Sequence, residues 1–296
     1  MIRCTAFTLL SMIVCAGAAA QVRTADPAKR GLKESDFPRT IKVTDNVYTY
    51  EDFHAGDEKF TTTNLFVVTD AGVLVADGQG SAAATKGLVD AIARFTTQPI
   101  KYVVVGSEHG DHTAGNASFP TGITYIVHPT SKKVVDGKDV ALVSDKQSFT
   151  LGKQRFDVLF LGRSHTGGDL AVWLPQQKVL FLSEIFLNRV FPAMRSAYPS
   201  EWLKALDRAE AINADIYIAG HGFTETGPVS KEEIVAYHKA LEAVIKEATR
   251  LHTAGVPVED AVKQANWGPY ADWTLAKSQG PIAVRKVYEE LDGKLK

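Results

Sequence analysis

The chain has 296 residues with 45% hydrophobic and 23% charged side chains and a formal net charge of −1. That length allows one large core with an appendage, and the composition is that of an ordinary globular protein rather than a disordered or membrane-embedded one. Near-neutral charge without a basic stripe interleaved with aromatics excludes nucleic acid as a natural partner.

The first residues read as a targeting segment. Arg3 is a minimal positive region, Phe7 to Val14 is apolar, and Ala18-Ala19-Ala20 offers a small-residue cleavage site before Gln21. Residues 1–20 are therefore expected to be a signal peptide, which places the protein in the periplasm or outside the cell. The apolar run is too short to span a bilayer. Bulky Val14 before Cys15 disfavours lipid attachment, so no stable membrane anchor is expected. Cleavage removes both cysteines, Cys4 and Cys15, so every metal ligand must come from His, Asp, Glu or water. It also removes Arg3, leaving 32 basic against 34 acidic side chains, a net charge of −2.

Residues 21–39 are polar and predict a flexible leader. From Ile41 the text is β: Val43, Val47 and Tyr48, then Thr62 to Thr69, then Val73 to Ala76, with Asp70-Ala71-Gly72 as a hairpin turn. Asp52 to Lys59 is a polar loop placed to flap over a site. Leu88, Ile92 and Phe95 predict a helix from about Ala82 to Phe95. Tyr102 to Val105 reads as a strand that runs into Ser107-Glu108-His109-Gly110-Asp111-His112. Strands follow at Ile123 to Val127, around Phe156 to Phe160, at Leu170 to Leu174, Val179 to Leu182 and Ile216 to Ala219, with a helix at Trp202 to Ile212. After Ser230 the text is helical to the end, apart from a break at Gly255-Val256-Pro257. Strand-rich halves each followed by helix predict two sheets packed face to face with helices outside.

Three potential ligands within four positions at a strand end, His109, Asp111 and His112, suit zinc, which takes neutral imidazole and carboxylate. Other strand ends supply partners: His165 in Gly162-Arg163-Ser164-His165-Thr166-Gly167-Gly168-Asp169, Glu184 in Leu182-Ser183-Glu184, and His221 between Gly220 and Gly222. His128, His238 and His252 read as structural or surface residues.

These four motifs in this order, from roughly Val43 to His221, resemble the metallo-β-lactamase fold superfamily. The resemblance implies an α+β, four-layer αβ/βα sandwich over residues 40–229, with residues 230–296 as a helical extension packed on it. It implies one or two zinc ions at the open edge of the sheets. Asp77, in Val75-Ala76-Asp77-Gly78, matches an acid that supports the ligands from behind. Asp111, His112 and His221 complete the second metal site. The first site keeps only His109 and His165, because Ser107 stands where the family motif His-x-His-x-Asp-His has its first histidine. Glu184 occupies the position of a bridging aspartate. The second site is therefore favoured, with a water held by Ser107 expected to fill the gap in the first.

The reading is a metal-dependent hydrolase acting through a metal-activated water on a small ester, lactone, thioester or lactam, with Asp111 also orienting the nucleophile. His54 in the flap, and Arg163, Arg189 and Arg195 near the ligands, are candidate substrate contacts. Two rivals stand beside it. A periplasmic β-lactamase is opposed by Glu184, since the cysteine-free lactamases it resembles generally lack a bridging carboxylate. A metal-binding accessory protein without turnover is supported by Ser107. The substrate and the oligomeric state are not legible.

Overall fold

The computed structural model describes residues 22–54, 59–135 and 137–295. The expected signal peptide lies outside the described residues, as do residues 55–58 of the expected flap. No described helix is long and apolar enough to cross a membrane.

The first sheet runs in chain order: β1 (Arg39–Thr44), β2 (Val47–Phe53), β3 (Thr61–Thr69), β4 (Gly72–Ala76), β5 (Ile100–Val104), β6 (Thr124–Val127) and β7 (Asp139–Leu142). Its first four strands pair antiparallel, and β4 to β7 pair parallel. The second sheet has the order β12-β11-β10-β9-β8, from β8 (Lys146–Leu151), β9 (Gln154–Phe160), β10 (Leu170–Leu174), β11 (Val179–Phe181) and β12 (Ile216–Ile218). Only β11 and β12 pair parallel in it.

Alternation along each strand sorts side chains into layers. In β4, Leu74 and Ala76 face the second sheet, where they join Phe156, Val158, Leu170, Val172 and Phe181 in a core between the sheets. Val73 and Val75 point the other way and pack with Leu88 and Ile92 of α1 (Ala82–Ile92). Ala171, Leu180, Leu182 and Tyr217 cover the outer face of the second sheet. They pack against α3 (Pro199–Ala211), α4 (Pro228–Thr253) and α6 (Ala276–Leu291). Helix, sheet, sheet and helix therefore stack in four layers, as expected.

Several local expectations are corrected. Helix α1 begins where the Ser81 hydroxyl accepts the Ala84 N–H, and it stops at Ile92. Phe95 lies just past its end, with its ring against Tyr48 at 4.6 Å. The C-terminal region breaks at 255–257 as expected, between α4 and α5 (Val258–Gln264), but it breaks a second time over 265–275, which hold a 3-10 turn at Gly268–Tyr270, before α6. Residues 22–38 do not behave as a loose leader. Ala25 is fully buried in the core beside the second sheet, and the nearly enclosed Arg30 guanidinium pairs with Glu225 at 2.6 Å.

Candidate metal centre

The donors gather because strand ends meet at one edge of the sandwich. Strands β4 and β5 run parallel, so Asp77 and the motif after β5 leave the first sheet side by side. Strands β11 and β12 run parallel, so Glu184 and His221 leave the second sheet together. His165 comes from the loop between β9 and β10. The four-residue helix α2 (Gly110–Thr113) carries Asp111 and His112.

Two clusters result: Asp111, His112, Glu184 and His221, and His109, His165 and Glu184, with the donor atoms of each within 4.8 Å of one another. In the first-named, His112 Nε2 and His221 Nε2 are 3.3 Å apart. Asp111 Oδ2 is 3.0 Å from His221 Nε2 and 3.4 Å from His112 Nε2. Zinc bonds of 2.0–2.1 Å in a tetrahedron put ligand atoms about 3.3 Å apart, so these three atoms are spaced as one face of such a site. Glu184 Oε1 approaches His221 Nε2 at 3.2 Å and His112 Nε2 at 3.9 Å.

The hydrogen bonds behind the imidazoles set their tautomers. His221 Nδ1 faces the Thr61 carbonyl oxygen at 2.9 Å, an acceptor only, so Nδ1 carries the proton. His112 Nδ1 donates to Asp77 Oδ2 at 3.0 Å. Each neutral ring then aims an Nε2 lone pair at the other ring and at two carboxylates. Such a convergence of acceptors is stable only around a cation, and the residues present therefore fit a metal. Without one, protons fill the role. Burial disfavours charge on His112, but Asp111, Asp77 and Glu184 raise its pKa to about 10. His221 is likewise desolvated, and Asp111 and Glu184 raise it to about 9. Burial also works against ionised Asp111 and Glu184, yet the surrounding histidines hold both below their ordinary range.

Asp77 is fully buried at a left-handed φ of +66° and supports more than His112. Its Oδ1 accepts the Gly106 N–H at 2.6 Å, and its Oδ2 accepts the Ser183 hydroxyl at 2.6 Å. Ser183 precedes Glu184, so one carboxylate ties the ends of β5 and β11 together. Glycine is required beside His221: a β-carbon on Gly220 would lie 2.6 Å from the Ser183 carbonyl carbon.

The second cluster is built differently. His109 Nδ1 and His165 Nε2 are 3.0 Å apart, and each is 3.0 Å from an oxygen of Glu184. Ser107 is fully buried, and its hydroxyl donates to Glu184 Oε2. Ser107, standing where the family motif has its first histidine, thus ties directly to Glu184. His165 Nδ1 is buried with no hydrogen-bond partner among the described residues, and the ring meets Trp202 edge to face at 5.2 Å. His109 Nε2 reaches Ser196 Oγ at 3.3 Å.

The pocket over the donors holds about 400 Å³ and is walled by His54, Phe60, Leu187, Val190, Arg195 and Gln279, among others. His54 stacks on Phe60 and lies 3.3 Å from Asp111 Oδ2 without hydrogen-bond alignment. Of the three arginines expected to act together, Arg195 alone lines this pocket. Arg163 pairs with Glu201 over the Tyr198 ring, and Arg189 pairs with buried Glu233, so carboxylates of the fold already neutralise both. Sequence reasoning missed Asp169, whose buried carboxylate accepts from the Ser164 hydroxyl and the Thr166 N–H at 2.6 Å and shapes the His165 loop. The Gly-Gly-Asp ending of that motif was the available signal. It also missed Thr61, which acts through a backbone carbonyl and left no signal in its side chain.

Known proteins resemble this chain in sequence and in fold. A family model described as the Metallo-beta-lactamase superfamily matches residues 59–221. Metallo-beta-lactamase IND-1 of Chryseobacterium indologenes is 26% identical over 227 residues, spanning 73% of this chain and 90% of its own. Hydroxyacylglutathione hydrolase of Brucella ovis is 24% identical over 213 residues, spanning 68% and 82%. A solved structure of a stereoselective inverting sec-alkylsulfatase from Pseudomonas sp. superposes with a TM-score of 0.69 at 14% identity, over 85% of this chain and 50% of that one, a likeness of fold alone.

Proposed function

The chain belongs to the metallo-beta-lactamase superfamily of metal-dependent hydrolases, and from that premise we propose that it uses zinc to hydrolyse a small ester, lactone, thioester or lactam. The observation that carries this reading is the face formed by Asp111 Oδ2, His112 Nε2 and His221 Nε2, with edges of 3.0–3.4 Å and both outward nitrogens tied down. Nitrogen and oxygen donors at that spacing suit zinc. When bound, zinc supplies a Lewis acid and brings the pKa of a coordinated water to about 7.

The chain's own groups do the rest. Asp111 stays ionised at the pocket floor, where it can accept a hydrogen bond from the attacking water and orient it. Glu184 is fixed by Ser107 on one oxygen and turns the other toward His221. Asp77 holds the His112 ring and the end of β5 in place. Arg195 and His54 sit on the wall as the contacts for a polar group of the substrate. One tight metal at Asp111, His112 and His221 is favoured over two. The pattern of residues 1–20 supports export to the periplasm or beyond.

The similarity to IND-1 favours a β-lactamase as the second reading. Both readings meet one experiment: turnover of lactam, lactone, thioester and phosphodiester substrates, each with added zinc and again with chelator. Hydrolysis of one acyl class that chelator abolishes and zinc restores is the expected result. Zinc binding with silence across the acyl panel would sink the reading.

A further inference from the structure

Two hollows meet at one side chain. Beside the metal pocket lies a second hollow of about 460 Å³, walled by Pro27, Ala28, Leu32, Phe53, Trp273 and Leu275, among others. Phe53 and Lys59 line this outer hollow, while their chain neighbours His54 and Phe60 line the inner one. Leu275 lines both. The same two backbone stretches and one leucine therefore divide the spaces.

Leu275 holds a left-handed φ of +70°, a conformation unfavourable for a side chain of that size. Its neighbours enforce it. The Phe191 N–H donates to the Thr274 carbonyl at 2.8 Å, and the Leu275 carbonyl accepts the Gln279 N–H of α6 at 2.8 Å. Strain of this kind persists where the surroundings over-determine it, and it clusters at ligand-contacting positions. Residues 26–34 supply part of the wall of the outer hollow and are held on the body by Ala25, by the Arg30–Glu225 pair and by the Lys59–Glu34 pair, among other contacts. The hollow's lining joins its apolar and aromatic side chains to charges of both signs, Lys29 and Lys59 beside Asp26, Glu34 and Asp272, and Lys59 pairs with Glu34 at 2.7 Å.

We propose that the outer hollow is the subsite for an apolar tail of the substrate, and that Leu275 is the specificity-determining residue that controls access to it. The substrate class follows: an ester or thioester of a medium-length acyl chain, with its scissile carbonyl at the metal centre and its tail past Leu275. This rests on the hydrolase reading above and narrows it.

The test compares p-nitrophenyl acetate with p-nitrophenyl decanoate, below its micellar concentration, on the zinc-loaded chain. Burial of several methylenes predicts a kcat/KM for decanoate about tenfold or more above that for acetate. Ala28→Trp, which fills the hollow from its exposed rim, should bring the ratio close to one, and Leu275→Ala should raise it. Decanoate binding read through Trp273 fluorescence, with Trp273→Phe as the control, needs no turnover. Binding that Ala28→Trp abolishes, in a protein that hydrolyses neither ester, would retain the subsite and count against the hydrolase reading. Turnover without a length preference, or a preference that survives Ala28→Trp, would overturn the subsite.

Discussion

The two donor clusters share Glu184 and differ in what stands behind their histidines. His112 and His221 each hand their outward N–H to a fixed acceptor, Asp77 and the Thr61 carbonyl. Among the described residues, His165 Nδ1 has no hydrogen-bond partner, and His109 Nε2 reaches a serine hydroxyl at 3.3 Å. Ser107 deepens the asymmetry, because its hydroxyl occupies the Glu184 oxygen that faces His109. Ligand count alone would call the two clusters a complete and an incomplete site. The outer hydrogen bonds say more: one cluster is held in the tautomer and orientation a metal needs before it arrives, and the other must be organised by the metal itself.

The contrast breaks most visibly by removing one histidine at a time. His221→Ala is expected to lower zinc affinity more than about a hundredfold, beyond the range for losing an outer partner. His165→Ala should leave the tight site within about tenfold. Competition against a chromophoric chelator measures both, and equal losses would erase the distinction. Asp77→Asn keeps the shape but weakens the support of His112, so a loss of about 10- to 100-fold is expected by the same titration.

Protons sharpen the comparison next. With folded pKa values raised from 6.5 to about 10 and about 9, His112 and His221 stabilise the metal-free fold while protonated. That contribution is full below pH 6.5 and is lost as pH rises through the folded values. Zinc must displace the same protons, so its affinity should climb over that window, with about one to two protons released per ion. Melting temperatures of chelated and zinc-loaded protein should therefore diverge as pH rises from neutrality, and calorimetry in buffers of different ionisation enthalpy counts the protons. Parallel curves would contradict the protonated resting site. The smallest effect is a change of stoichiometry: Ser107→His should take bound zinc from about one to about two per chain, read by elemental analysis after dialysis.

The side chains that the fold gathers into the two donor clusters were legible because each follows an apolar strand, and a strand end is where a polar letter stands out. Asp77 was legible for the same reason. Thr61 was not, because its contribution is a backbone carbonyl that any residue would offer. Strands β7 and β8 were missed because they edge their sheets and many of their side chains face water, which dilutes the apolar signal. Polar composition suggested a loose leader at 21–39, yet buried Ala25 and Pro27 and the ion pairs of Arg23, Arg30 and Glu34 hold it, and such scattered contacts do not register in a composition average. The left-handed Leu275 had no signature at all, since nothing in its neighbourhood marks a position that favours glycine.

The division of the pocket between early and late sequence bears on the order in which the protein is completed. The candidate metal donors lie at or before His221, but Leu275 and Gln279 join the pocket wall only after α4 and α5 have followed. The outer face of the second sheet, with Ala171, Leu180 and Tyr217, is covered in part by α4 and α6, which follow that point. A chain made from its N-terminus thus has these candidate donors before it can fully shelter that apolar face. Stalled or truncated products that end soon after residue 221 would carry the means to capture zinc together with an exposed face prone to aggregation.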